Sequence, residues 1–152
     1  MKEVWFAGVH SDIGGGYPPE QAQLALLAYR WMLGEALAVG LRLDPVRCKK
    51  EMEPPKGIVA DFGANMHDSM TTAWKFAEWL PRRAWSGADA KRSWQIGAMP
   101  PFGTPRPRVI PEGVFVHRSV EQRLLARNDY KPSNLTQSRR IIDDDPLLAG
   151  IV

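Results

Sequence analysis

The chain has one cysteine, Cys48, so no disulfide can form within it and any core must be held by apolar packing. That usage fits a reducing compartment. No apolar run reaches the roughly 20 residues that a membrane helix requires. The most apolar stretch, Leu24 to Val39, is short and is interrupted by Arg30 and Glu35. No basic segment followed by an apolar one precedes the first strand pattern, which argues against a cleaved leader and for the cytoplasm of the producing cell. Charge of one sign is also scarce. A net charge of +3 over 152 residues, with basic pairs separated by acidic ones and no recognised nucleic-acid motif, gives no reason to expect nucleic-acid binding. The three histidines are dispersed, and neither His-Glu-x-x-His nor a paired cysteine set is present. Neither a metal nor a cofactor is expected.

What is present is the composition of one ordinary globular domain, 44% hydrophobic and 24% charged. Its most informative stretch is Val4 to Tyr17. Val4 to Val9 is an almost wholly apolar run rich in β-branched and aromatic side chains, which suits a strand covered on both faces of a parallel sheet. His10 stands at the exit of that strand, where ligands of open α/β sheets bind. Ser11, Asp12, Gly14, Gly15 and Gly16 follow as a loop. The glycines suit positive φ or a close backbone approach. A phosphate cradle is the rival reading, but neither Gly-x-Gly-x-x-Gly nor a Walker lysine accompanies them.

A helix is expected next, entered at Pro18 and Pro19 and stopped at Gly40, with apolar residues on nearly every side as in a buried helix. Asp44-Pro45 and Glu53 to Gly57 read as surface turns. A second helix is expected over residues 68–80, where Met70, Trp74, Ala77 and Leu80 share a face and Pro81 ends the pattern. Trp74, Trp79, Trp85 and Trp94, with Arg82, Arg83, Lys91 and Arg92, have the composition of an amphipathic lid on an anionic lipid surface; core packing is the alternative role. The proline-rich stretch from Met99 to Pro111 predicts an extended connector. A strand at Val114 to His117 is expected to lead into a helix through Ala126, with Ser119 and Gln122 at capping-box spacing and His117 orienting the corner. Asp143 to Asp145 reads as a solvated turn.

The segment Val4-Trp5-Phe6-Ala7-Gly8-Val9-His10-Ser11-Asp12-Ile13-Gly14-Gly15-Gly16-Tyr17 resembles the catalytic-histidine segment of the α/β-hydrolase family that includes type VI secretion phospholipase effectors. Trp31-Met32, the helix end from Ala36 to Leu41, His67-Asp68-Ser69, Arg108 to Gly113, His117 to Val120 and Tyr130 to Leu135 resemble that family's closing region in order. The resemblance implies an α/β fold, here its carboxyl-terminal part, mostly helical with few short strands and long loops. It implies that His10 is the general base of a serine esterase acting on lipid esters. Asp12 is expected to shape the loop or support the site from behind, with contact to the His10 ring as the lesser alternative.

In that family a serine in a Gly-x-Ser-x-Gly elbow and an acidic partner come before the histidine. None of the serines here has glycine two residues away on both sides. The expectation is therefore one partial domain over residues 1–152 that supplies a histidine but no nucleophile and is inactive alone. Its partner would be the missing nucleophile-bearing half or a complete homologue. The alternative is a non-catalytic interaction or regulatory module that pairs through a sheet edge. Contact-dependent delivery to another cell is also compatible with the resemblance.

Overall fold

The computed structural model describes residues 2–44, 46–47, 50, 59–68, 81–86, 91–96 and 108–144, with the backbone alone for 81–86 and 91–96. In chain order the elements are β1 (Val4–Trp5), α1 (His10–Gly14), a 3-10 turn (Pro19–Gln21), α2 (Gln23–Ala38), β2 (Pro81–Ser86), β3 (Lys91–Ile96), β4 (Phe115–His117), α3 (Arg118–Ala126) and β5 (Arg140–Ile142). They form two compact units, Met1–His67 with Ile110–Val152, and Asp68–Val109.

The first unit is an open parallel sheet with helices, an α/β arrangement, in the order β1-β4-β5. Val4 and Trp5 pair with Phe115 and Val116, and Phe115, Val116 and His117 pair with Arg140, Ile141 and Ile142. β4 is therefore the central strand. Its Val116 is fully buried and forms the core with Ala7 and Val120, packed around by Trp5, Val114, Leu124, Tyr130 and Leu135.

β1 is shorter than its apolar pattern predicts. Ladder pairing stops at Trp5, although Ala7 remains buried, and Gly8 then turns with φ +142°. The predicted loop after it contains a helical turn. The Asp12 carboxylate accepts the Val9 N–H at 3.1 Å, while the Val9 carbonyl accepts from the N–H groups of Asp12 and Ile13. That reciprocal arrangement satisfies donors a short helix start would otherwise leave open. Gly15 and Gly16, at φ +80° and +126°, end the turn.

α2 follows the proline-marked 3-10 turn and stops where Gly40 predicts. The Leu41 N–H reaches the Ala36 carbonyl and the Gly40 N–H reaches that of Leu37, both at 2.9 Å, with Gly40 at φ +94°. This is a Schellman ending, which requires a residue that tolerates positive φ. Leu24, Ala28, Trp31 and Leu33 are buried, whereas Tyr29 and Met32 are exposed, so the helix is not enclosed on every side as its composition predicts. Tyr29 and Met32 instead border a largely apolar cavity of about 530 Å³, shared with Val4, Phe6, Ile13 and Ala25.

The second unit contains an antiparallel hairpin in which Arg82 pairs with Gln95, Arg83 with Trp94 and Trp85 with Arg92. The helix predicted over residues 68–80 falls, beyond Asp68, outside the described residues, as do Trp74 and Trp79. Arg82 and Arg83, predicted to belong to a lipid-facing lid, lie on β2. Among the described residues no helix is long and apolar enough to cross a membrane.

The core assignment predicts a sharp contrast in stability. Val116→Ala removes buried methyl groups from the central strand and should cost about 2 kcal/mol in equilibrium denaturation. Leu125→Ala, on the solvent side of α3 at 86% exposed, should stay within about 0.5 kcal/mol of the parent.

Candidate functional site

The most constrained polar group of the first unit is Asp12, which is 2% exposed. A carboxylate leaves water at a large cost unless hydrogen bonds replace its hydration. Asp12 obtains them from two segments. Its Oδ2 accepts the backbone N–H of Val9 at 3.1 Å and that of His67 at 3.2 Å, and its Oδ1 lies 2.6 Å from His67 Nδ1. One side chain thus closes the turn of α1 and draws in a residue 55 positions later.

The His67 ring is held on three sides. Asp12 binds Nδ1, the Gln21 Oε1 position lies 3.2 Å from Nε2, and Tyr17 stacks on the face with centroids 3.7 Å apart and planes 19° from parallel. The His67 side chain is 26% exposed. A carboxylate at Nδ1 holds the neutral ring with its proton on that atom, leaving a lone pair on Nε2. Nε2 therefore points away from the buried acid, toward the amide of the exposed Gln21, which can donate to that lone pair with its nitrogen turned to the Oε1 position.

His10, the predicted base, is the first residue of α1 and is exposed. Among the described residues its ring makes no hydrogen bond or ion pair. The carboxylate two residues later turns toward His67 instead. Asp12 closes the α1 turn through the Val9 N–H, and the imidazole it contacts is that of His67. Ser11 is partly buried, and a Cβ placed on Gly16 would lie 3.7 Å from its hydroxyl.

His67 escapes a search by spacing because it lies in an irregular segment far from Asp12. Chain order is the signal that could have found it. If Asp12 is an acid in the order serine, acid, histidine, its histidine must follow it, which leaves His67 and His117.

His117 is placed differently. It caps α3, where Nδ1 lies 3.3 Å from the Ser119 backbone N–H and 2.8 Å from the Ser119 hydroxyl, and Nε2 lies 3.2 Å from an Asp144 oxygen. Phe6 stacks on it with centroids 4.7 Å apart. At 5% exposed it orients the corner, and the helix begins two residues earlier than the Ser119–Gln122 spacing suggests, because the ring itself is the cap. The acidic turn after β5 is also less free than its composition suggests. Arg118 donates to Asp143 and holds its carboxyl below the usual carboxylate range.

Among the described residues no group of three potential metal-ligating side chains converges. The glycine run also has a local explanation. A Cβ on Gly8 would fall 2.6 Å from the Asp12 Cβ, whereas one on Gly14 would meet nothing within 4 Å. Gly8→Ala should therefore lose more than about 2 kcal/mol of stability, through positive-φ strain and the clash at Asp12. Gly14→Ala should be neutral or stabilising by up to about 1 kcal/mol. Equal losses in urea denaturation would contradict this division of roles.

Residues 1–35 match the family model of the T6SS phospholipase effector Tle1-like catalytic domain. That span carries β1, α1 and most of α2, and so includes Asp12 but not His67. An uncharacterized protein of Saccharomyces cerevisiae is 44% identical over 46 residues, which are 28% of this chain and 7% of that protein. The chain thus spans a small part of the length of that relative. No solved structure matches it. The amino-terminal portion is accordingly similar to part of a phospholipase catalytic domain.

Proposed function

We propose that this chain supplies the acid and the base of a serine hydrolase acting on lipid esters, with Asp12 as the acid and His67 as the base. The nucleophilic serine would come from a Gly-x-Ser-x-Gly portion outside this sequence. The observation that carries the reading is the 2.6 Å approach of Asp12 Oδ1 to His67 Nδ1. The order acid then histidine is that of α/β-hydrolases. The family match over residues 1–35 supports the lipid-ester class and includes the acid.

The chemistry follows from the ring's orientation. A serine hydroxyl is a weak nucleophile at neutral pH and needs a base within hydrogen-bond reach. In the proposed cycle the serine oxygen attacks the ester carbonyl as His67 Nε2 takes its proton. The imidazolium is stabilised by Asp12 at Nδ1, and the proton then passes to the departing alcohol. Water repeats the sequence on the acyl-serine, transferring a proton to Nε2 and releasing the fatty acid. Asp12 remains a carboxylate throughout. The serine would take the position beside Nε2 that Gln21 occupies. Among the described residues β1 lies at one edge of the sheet, and the neighbouring apolar cavity is lined by α2, both consistent with further structure packing there. His10, lacking a carboxylate, takes no proton in this scheme.

The test joins this chain to the serine-bearing portion of a Tle1-like phospholipase domain and measures ester hydrolysis. The joined protein should be active and this chain alone inactive. His67→Ala should reduce turnover on the order of a millionfold, since triad members act as a unit. Asp12→Asn should cost roughly ten-thousandfold, and His10→Ala should leave activity within about threefold, since it removes no triad member. Activity that survives His67→Ala but not His10→Ala would return the base role to His10.

Lipid-surface contact by the second unit belongs to the same reading. In the joined enzyme, replacing Arg82 and Arg83 by glutamate should weaken binding to anionic vesicles at low salt, by about 1 kcal/mol for each cation removed. Unchanged vesicle binding would remove the hairpin from the lipid interface.

A further inference from the structure

The segment bearing His67 has little regular structure of its own. Residues 59–68 contain a turn and no helix or strand, and their local bonds are few. Asp61 Oδ1 accepts the Gly63 N–H at 2.7 Å, and the Asp61 N–H reaches the Gln23 carbonyl at 3.4 Å. Such a segment cannot by itself hold an imidazole in one orientation against a carboxylate.

Two arginines one turn apart, Arg123 on α3 and Arg127 at its C-cap, hold it. Arg123 is 2% exposed, and its Nη1 donates to the carbonyls of Phe62 at 2.6 Å and Ala64 at 2.7 Å. Arg127 donates through Nη1 to the Gly63 carbonyl at 2.8 Å and to Asn65 Oδ1 at 3.0 Å, while Asp129 takes its other nitrogens. Every residue from Phe62 to Asn65 is therefore bound by one guanidinium or the other. The next anchored group beyond them is the His67 N–H on Asp12.

A buried arginine usually sits on a carboxylate. Arg123 hydrogen-bonds instead to main-chain carbonyls, with the Tyr130 ring 5.0 Å from its Cζ and its Nε unpaired among the described residues. That is an expensive use of a charge if the only return is helix packing. Burial and the charge of Arg127 push its pKa down, and the charges of Tyr130, Asp129 and Asp12 oppose that shift. The guanidinium thus lies within the electrostatic reach of the buried carboxylate that orients His67.

We propose that Arg123, assisted by Arg127, is a positioning residue for the Asp12–His67 pair, acting through the carbonyls of residues 62–64. The inference rests on the assignment of that pair as the acid and base. The fork matters as much as the charge. Both carbonyls are met by the two N–H bonds of one nitrogen, Nη1, whose directions are fixed by the guanidinium plane, whereas the N–H bonds of a lysine ammonium rotate on a flexible stem.

The full chain allows a test that needs no activity. Ring nitrogen NMR distinguishes an Nδ1–H imidazole from an Nε2–H one, and the parent should show His67 locked with its proton on Nδ1. In Arg123→Met and Arg123→Lys that lock should be lost, with the ring exchanging between tautomers. His117, at the other end of α3, should keep the signature of its bonds to Ser119 and Asp144, which separates local displacement from unfolding. Should Arg123→Met fail to fold, the lysine variant decides. A purely structural role would lower the melting temperature and leave the His67 tautomer unchanged, and that result would overturn the proposal. In the joined hydrolase, Arg123→Lys should reduce kcat roughly a hundredfold at unchanged KM. The NMR outcome stands whether or not the joined protein cleaves an ester, so the positioning role and the hydrolase assignment fail separately.

Discussion

A carboxylate cannot be buried without partners, and the way Asp12 meets that requirement organises the first unit. Its three donors come from the backbone at the exit of β1, the backbone of a distant loop and an imidazole. Hydrogen bonds to a charged group contribute roughly 1.5–3 kcal/mol each, and removing one partner of a buried charge costs more than the bond itself. The α1 turn, the approach of the 59–68 segment and the orientation of His67 are therefore linked through one side chain. Gly8 belongs to the same constraint, because any β-carbon there would occupy the space of Asp12.

Much of the local structure was legible from the residues. Gly40 marked the end of α2 because the Schellman ending needs a positive φ, and the apolar run before His117 marked β4. What was not legible depends on distant partners. α1 reads as a glycine-rich loop until Asp12 is seen to accept from Val9, and Asp12 is fixed in that position by a histidine that no local pattern connects to it. The β1–β4 pairing joins residues far apart in the sequence, and period alone cannot select that register. The exposure of Tyr29 and Met32 was equally hidden, since composition shows that a helix is apolar without showing which face is covered.

The resemblance pointed to His10, whereas the geometry pairs Asp12, two positions later, with His67. His10 attracts attention because it leaves a strand next to glycines, and histidine is the side chain best suited to a base at neutral pH. Position in a sequence does not reveal which imidazole has a carboxylate behind it. Asp12 faces inward from a short helix while His10 lies on its exposed side, so two residues separated by one position serve different environments.

The contrast between His67 and His117 shows how environment divides two imidazoles that both face an aspartate and a polar neighbour. The Ser119 backbone N–H donates to His117 Nδ1, so that atom must carry a lone pair and the proton must sit on Nε2, against Asp144. Both nitrogens are thereby committed to the fold, and Phe6 covers the ring. His67 has the reverse arrangement, with its acid on Nδ1 and with Nε2 facing the exposed Gln21, in a side chain that is itself part-exposed. A base must release and recover a proton at an atom that a substrate can reach. His117 does not meet that condition, and the part-exposed His67 is the better placed of the two for the proposed role, although a tally of Ser, His and Asp within hydrogen-bond distance would have favoured the buried one.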